Sequence, residues 1–434
     1  PGTSAGDRPN VLLLLAYYFP GYKAGGPARS ISNMVQMLGG EFEFRIVTSD
    51  RDLGDGRPYL GVVAGRWTPV DKAWVLYLPP GARSLPMYIN VLRNTPHDIL
   101  YLNSFFARRY SMLPVVLRRL GLIPRLPLLL APRGEFSPGA LQIKGRRKQT
   151  YIRLVRALRL YDDVTWHASS ALEEHDIMHV MTSWAMVRVA APLPAGPKSL
   201  PQPRNGGLPL IHVAPDLLAV NNGEGRGLLR GTKVAGRLSV VCVSRISRMK
   251  NLDGSLTLLH GLRGAVRFVI WGPKEDLDYW RECEELIGQL PPNVEVTYKG
   301  PVPHEEVARV FAAHDIFLLP TRGENFGHVI VEALGAGCPV VISDRTPWRN
   351  LEQHGVGWDI SLERPARFRE VLQACVDMGP EQHAALSQRA REFAVACSQN
   401  PQAVEANRRL LLGMKNAGSS SKVGPGDPGV KPQI

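Results

Sequence analysis

Cysteine is scarce and scattered in this 434-residue chain: Cys242, Cys283, Cys338, Cys375 and Cys397, odd in number and with no CxxC pair. That pattern excludes a disulfide scaffold and a zinc knuckle, and it fits buried thiols in a reducing compartment. Long hydrophobic runs are missing too. The longest, Val11 to Pro20, falls far short of the roughly 20 residues a membrane span needs. It also lacks the basic flank and small-residue cleavage site of a signal peptide. A soluble chain is the expectation. Familiar nucleotide and metal signatures are absent: there is no GxGxxG, no Walker A sequence and no HExxH. A dehydrogenase, a P-loop enzyme and a zinc hydrolase are therefore poor readings, and no bound metal or cofactor is expected.

Acidic residues are nearly missing from one stretch. Between Tyr101 and Leu160 thirteen basic residues face only Glu135. Residues 1–190 carry 24 Lys and Arg against 14 Asp and Glu, whereas residues 238–434 carry 22 against 23. A basic face of this kind suits an anionic partner or a lipid surface; its plain alternative is a solubilising surface. No stacking-aromatic or recognition-helix pattern accompanies the charge, so a nucleic-acid partner is not expected.

What is present is hydrophobic patterning in two blocks. Short apolar runs alternate with amphipathic stretches, the mark of parallel α/β sheets. In the first block Val11–Leu15, Phe44–Thr48, Val75–Leu78, Ile99–Leu102, Pro127–Leu130 and Val164–His167 read as strands. Ala28–Leu38 and the basic Lys148–Leu160 read as helices. In the second block the strands are Leu238–Val243, Arg267–Ile270, Val294–Tyr298, Ile316–Leu319 and Val340–Ser343. Helical patterns cover Leu252–Leu262, Asp278–Leu290, Glu305–Ala313 and His328–Leu334. The expected division is a first domain over 1–195, a connection over 196–236 and a second domain over 237–387. A helix crossing back would cover 388–413, and a disordered tail 414–434. Within the connection, the apolar run Leu208–Val213 could dock on a neighbour. Two doubly wound domains leave a cleft at the carboxyl ends of their strands, where such folds bind ligands.

The residues expected at that cleft fall into three groups. After Pro320 a Gly-containing turn leads into a helix near Gly327, so the amides of Phe326 to Val329 suit phosphate oxygens. Glu324 and Glu332 flank that helix start, and two acids beside an anion site make sense if they accept hydrogen bonds from hydroxyls. The plain alternative is a helix-terminal charge and a solvated helix residue. Behind the strand Leu238–Val243 come Arg245 and Lys250, a guanidinium and an ammonium able to clamp a diphosphate. The turns Trp271–Asp276 and Tyr298–Val302 could offer a wall to a nucleobase. In the first block Gly25 and Gly26 would let a ligand approach the backbone closely.

These motifs in this order resemble the retaining glycosyltransferases of family 4, of a bacterial polysaccharide-type branch. Glu324 and Glu332, with seven residues between, match the family's E-x7-E motif. Ser244-Arg-Ile-Ser-Arg-Met-Lys-Asn-Leu-Asp253 matches its Arg-x4-Lys segment, and Ala131–Ala140, His167–Glu173 and Asp344–Trp348 look like the same branch. Matches run from about residue 10 to 395. The resemblance implies a GT-B fold, two Rossmann-like domains facing each other across a cleft. It implies a nucleotide-diphosphate sugar as donor and a glycan or lipid-linked acceptor. Arg245, Lys250 and Glu324 would be catalytic. Gly25, Gly26, Gly323, Asn325, Phe326, Gly327, His328, Val329 and Glu332 would bind donor. Arg133 and Asn103 stand where relatives carry histidines, which makes them the acceptor-side candidates. A cytoplasmic chain resting on the inner face of the membrane is the matching location. An inert sugar-nucleotide-binding module and a nucleotide-sugar epimerase of the same architecture are the rival readings.

Overall fold

The computed structural model describes residues 8–182 apart from positions 22, 24, 82, 83 and 144, then residues 210–218 and 233–420. The apolar runs of the first block become strands because their side chains are covered on both faces; Val11, Leu12, Leu13 and Leu14 are all fully buried. In chain order the first domain contains β1 (Asn10–Leu14), α1 (Gly26–Leu38), β2 (Glu43–Ser49), β3 (Trp67–Val70), β4 (Ala73–Leu78), α2 (Leu85–Asn94) and β5 (Ile99–Asn103). It continues with α3 (Leu113–Arg119), β6 (Leu128–Ala131), α4 (Pro138–Gln142), α5 (Gly145–Ala157), β7 (Val164–Ala168), α6 (Ala171–Thr182) and β8 (Leu210–Val213). The second domain has β9 (Arg237–Val243), α7 (Leu252–Leu259), β10 (Ala265–Trp271), α8 (Leu277–Gly288), β11 (Val294–Gly300), α9 (His304–Ala312) and β12 (Ile316–Leu319). After it come α10 (His328–Gly335), β13 (Val340–Ser343), β14 (Gly357–Ile360), α11 (Pro365–Asp377), α12 (Pro380–Ser398) and α13 (Pro401–Ser420).

The first sheet runs β3-β4-β2-β1-β5-β6-β7-β8 and the second β11-β10-β9-β12-β13-β14. Among the described strands only β3 pairs antiparallel, with β4. In both sheets the strand order reverses direction at a central pair: β1 beside β5, and β9 beside β12. The loops leaving those pairs open at a topological switch point, where this class of sheet takes its ligands.

All eleven expected strands and all six expected helices are present, with shifted ends. Two expectations of organisation need correction, and one is met: the apolar run within the connection docks, residues 210–213 forming β8 and pairing in parallel with β7, His167 opposite His212. The edge of β7 offered unpaired backbone groups, and β8 satisfies them while burying Ile211. The rest of the expected connection, 196–209 and 219–232, lies outside the described residues. The single crossing helix is two helices. Asn400 caps the second, its Oδ1 accepting from the amides of Gln402 (3.0 Å) and Ala403 (3.2 Å), and Pro401 opens it. Finally, the tail does not begin at residue 414. Helix α13 continues to Ser420, with Met414 and Ala417 buried; residues 421–434 lie outside the described ones. Leu410, Leu411 and Met414 join the core on the α1 side of the first sheet, each burial worth about 2 kcal/mol. Arg408 adds a two-pronged pair to Glu41 at 2.6 and 2.8 Å. The chain's last helix thus clasps the first domain.

Four cysteines are buried and Cys397 is half-buried, all as free thiols. No helix among the described residues is long and apolar enough to cross a membrane.

Candidate functional site

The second-domain lip is made by the loops that leave β9 and β12, and they are stitched together. Asn251 takes the left-handed conformation (φ 57°), which turns its side chain to donate to the Pro320 carbonyl at 2.8 Å. Its Oδ1 accepts from Arg322 Nε at 3.2 Å and Nη2 at 3.0 Å. Thr321 Oγ1 donates to the Met249 carbonyl at 3.0 Å, and the Arg322 amide donates to that same carbonyl at 2.8 Å. Ser343 Oγ donates to the Thr321 carbonyl at 2.5 Å. A mobile-looking run of loop residues is in fact a rigid seat.

On that seat Lys250 forms an ion pair with Glu324, both side chains mostly buried. Arg245 reaches both oxygens of Glu275 at 2.9 Å and stays about one-third exposed. Gly323 lies in the same turn, and the Glu324 amide donates to the Arg345 carbonyl at 2.9 Å. Trp348 Nε1 donates to the Phe326 carbonyl at 2.6 Å, and the Phe326 ring packs on Trp348 and His328. This fixes the peptide just before α10. Gly327 caps that helix with φ 78°, and a Cβ there would come within 2.8 Å of Ile330 Cδ1. No side chain caps the start of α10, so the first amides of His328 and Val329 keep their donors for a ligand.

The nearby strand-end turns also converge. Lys274 Nζ stands 4.2 Å over Trp280 and 4.6 Å over Tyr298, and Tyr298 donates to the Gly272 carbonyl at 2.9 Å. At the expected nucleobase wall Trp280 and Tyr298 pack on each other, and the Lys274 ammonium sits over both rings.

The first-domain lip is built differently, from residues far apart in sequence. Arg133, in the left-handed region (φ 56°), turns inward. Its Nε donates to Asn103 Oδ1 at 2.9 Å, its Nη2 to the Tyr101 hydroxyl at 3.1 Å, and its Nη1 pairs with Asp216. Tyr101 in turn meets His167 Nδ1 at 2.5 Å, and His167 Nε2 lies 2.7 Å from the Ala214 carbonyl. Glu173 accepts from the amides of Gly134 (2.7 Å) and Ser169 (2.8 Å). Burial pushes His167 down to about 4 and raises Glu173. Burial also opposes charge on Asp216, but Arg133 outweighs it and holds the carboxyl low. Arg133 is thus fully engaged within its own domain, and the buried Asn103 Nδ2 has no hydrogen-bond partner among the described residues.

The two lips touch. Gly134 (φ 76°) sits where a Cβ would lie 2.8 Å from Asn325 Cβ, so only glycine permits that approach. Gly26 faces His328, whose Nε2 is 2.9 Å from Ser30 Oγ. Ser30 Oγ has its own acceptors, Asp216 Oδ2 at 2.6 Å and the Gly26 carbonyl at 3.2 Å. Its oxygen therefore accepts from a ring N–H at Nε2. Burial keeps His328 neutral, down to about 4. Arg29, also on α1, pairs with Glu332 on α10. Gly25, at the cap of α1, faces open space.

Across the two lips the structure thus brings Gly26 to His328, Gly134 to Asn325 and Arg29 to Glu332. Lys250 and Glu324 meet on the second-domain lip, where Gly323, Phe326, Gly327 and Val329 belong to the same turn and helix start, while Arg245 pairs with Glu275 and Gly25 faces open space. Sequence reasoning missed Asp216, Ser30, Arg29 and Tyr101. Asp216 follows β8 in a segment with weak periodicity, and nothing local distinguishes a carboxylate that is neutralised by a partner 83 positions away. Among the described residues no cluster of three His, Cys, Asp or Glu could hold a metal ion.

Comparison with known proteins agrees with this layout. Residues 231–393 match the family model "Glycosyl transferases group 1". D-inositol 3-phosphate glycosyltransferase 1 of Catenulispora acidiphila is 32% identical over 143 residues, 31% of this chain and 34% of that protein. Sulfoquinovosyl transferase of Arabidopsis thaliana is 32% identical over 104 residues, 24% of this chain and 18% of that one. The chain thus spans about a third or less of the curated relatives it matches. Over nearly the whole chain the fold is similar to sucrose-phosphate synthase from Thermosynechococcus elongatus, with TM-score 0.65, 16% identity, and 93% and 98% of the two chains covered. Anabaena HepE in complex with UDP and glucose gives TM-score 0.63 at 17% identity, covering 93% and 98%. The two facing parallel sheets are the GT-B architecture.

Proposed function

We propose that the protein is a retaining glycosyltransferase that moves a sugar from a nucleotide-diphosphate donor to a hydroxyl of a glycan or lipid-linked acceptor, in cell-surface polysaccharide assembly. The observation that carries this reading is the stitched seat of the β9 and β12 loops. It holds Lys250 against Glu324, the strand-end Arg245 pairs with Glu275, and no side chain caps the start of α10. Cations and free amides suit a diphosphate; a carboxylate held next to them suits sugar hydroxyls.

In this reading the donor's diphosphate lies between Arg245, Lys250 and the amides of His328 and Val329. Glu324 accepts from hydroxyls of the transferred sugar, and Glu332 from the ribose. As the bond from the anomeric carbon to the phosphate oxygen breaks, these protein cations and amides meet the charge left on the diphosphate, and no divalent metal is needed for that role. The acceptor oxygen attacks from the face the diphosphate leaves, and the departing phosphate oxygen takes its proton. Among the described residues no second carboxylate is paired with Glu324 as nucleophile and acid, which favours front-face attack over a covalent intermediate. Asn103 Nδ2, the buried donor without a protein partner, supports the first-domain lip as the side that receives the acceptor or the sugar.

A membrane-surface acceptor has its own support. Leu120, Leu122, Leu154 and Leu158 are each at least half exposed, on or just beyond α3 and α5. Arg119, Arg146, Arg147 and Arg153 are exposed on the same layer. Apolar tips among guanidinium groups suit the headgroup region of an anionic leaflet, with the chain peripheral on a cytoplasmic face.

The test is a thermal-shift panel of UDP, GDP and ADP and their sugars, led by UDP because it accompanies glucose in HepE. Transfer to an acceptor, with the anomeric configuration of product read by NMR, follows. One diphosphate series should raise the melting point, and product should keep the donor's configuration. Binding without turnover would leave an inert sugar-nucleotide module; interconversion of donor sugars without transfer would leave an epimerase.

A further inference from the structure

We infer that Arg29 is a donor-positioning residue supplied from across the cleft, a phosphate ligand that Glu332 stores while the site is empty. The inference rests on the donor reading above. Its starting observation is that Glu332, expected to meet the ribose, already has a partner in the ligand-free chain: the Arg29 guanidinium on the first turn of α1, with both side chains about one-fifth exposed. The two helix starts are pressed together beside that pair. Gly26 would carry a Cβ 3.6 Å from His328 Cδ2, and Ser30 Oγ accepts from His328 Nε2 at 2.9 Å. Arg29 and Ser30 are neighbours on α1, while His328 and Glu332 stand one turn apart on α10, about 6 Å along its axis. A guanidinium that reaches Glu332 is therefore within side-chain swing of the amides at the start of α10.

The exchange follows from charge. Ribose hydroxyls that donate to Glu332 are neutral and leave its negative charge in place, but they compete for the oxygens the guanidinium uses. The nearest other anion is the diphosphate seated one turn away. A planar guanidinium gains two parallel hydrogen bonds there, and it gives up a carboxylate for a more highly charged group. Ser30 stays hydrogen-bonded to His328 at 2.9 Å across the lips, so the start of α1 does not move away when Arg29 lets go. Arg245 and Lys250 belong to the second domain, so a first-domain Arg29 on the diphosphate makes donor binding report on engagement of the first domain.

Isothermal titration of wild type, Arg29→Gln and Arg29→Lys tests this, using the nucleoside diphosphate that gives the largest thermal shift and its parent nucleoside. The expected result is that Arg29→Gln weakens the diphosphate about tenfold and the nucleoside less than twofold, and that Arg29→Lys recovers part of the loss. The nucleoside serves as the internal control for a folding defect, which would weaken both ligands together. Equal affinity of wild type and Arg29→Gln for the diphosphate overturns the assignment while leaving the donor reading intact. Tighter diphosphate binding by Arg29→Gln overturns it as well, since Arg29 would then only block Glu332. If no diphosphate of the panel binds wild type, the donor reading fails and this inference falls with it.

Discussion

The two lips of the cleft handle charge in opposite ways. On the second-domain lip the ion pairs Lys250–Glu324 and Arg245–Glu275 keep some solvent exposure, and Lys250 and Glu324 come from loops whose backbones are pinned by Asn251, Thr321 and Ser343. On the first-domain lip Arg133 and Asp216 are almost wholly buried, and each polar atom of the guanidinium has a partner inside the domain. The first arrangement can exchange a protein partner for a ligand. The second cannot do so without leaving a buried charge uncompensated. A buried, fully paired cluster has no partner to give up, whereas a pair that solvent reaches does.

Substitutions should separate the lips. Arg133→Met, which strands Asp216 in the interior, should destabilise the protein by about 3–5 kcal/mol in denaturant titration. Activity per folded molecule should fall much less. A variant that folds as well as wild type would mean that the pair is not the tie described here. On the other lip the signs reverse. Lys250→Ala and Arg245→Ala should each cost on the order of 100-fold or more in turnover, with melting temperatures nearly unchanged. Normal transfer rates in both would remove the clamp from the mechanism.

The buried histidines sharpen the contrast through pH. His167 and His328 are held down to about 4 by burial, below the ordinary value of 6.5. The unfolded chain therefore binds more protons between those values. Stability is full above about pH 6.5 and is lost as pH falls toward 4, by on the order of 1–3 kcal/mol. The low Asp216 carboxyl adds loss in the same direction at still lower pH. His328→Gln, which keeps a donor toward Ser30 and removes the titration, should flatten the slope of melting temperature against pH. An unchanged slope would assign the acid sensitivity elsewhere. The smallest expected effect lies on the outer face. Leu154→Asn with Leu158→Asn should lower partitioning onto anionic liposomes about fivefold at low salt. Equal flotation of wild type on anionic and zwitterionic vesicles would discard the electrostatic contact.

How legible each part was follows from the range of its interactions. The strands around Val11, Leu100, Val240 and Leu318 were readable because a buried parallel strand needs a continuous apolar run. Edge strand β3, with the half-exposed residues Trp67, Thr68 and Val70, carries no such run and was missed. So was β14, where Gly357 and Asp359 interrupt the pattern. The charges of the second-domain lip were readable because two loops each hold their groups within ten residues. Nothing in the spacing of Tyr101, Arg133, His167 and Asp216 foretold one network.

Local chemistry in the chain alone settled the alternation of strands and helices, the glycine that starts α10, and the spacing of Arg245 to Lys250 and Glu324 to Glu332. Those features depend on φ/ψ preferences and on neighbours a few residues away. Tertiary structure alone decided that β8 completes the first sheet, that α13 returns to clasp it, and which carboxylate each cation holds. A buried ion pair or an edge pairing is fixed by what stands opposite in space, and the order of residues along the chain does not encode that distance.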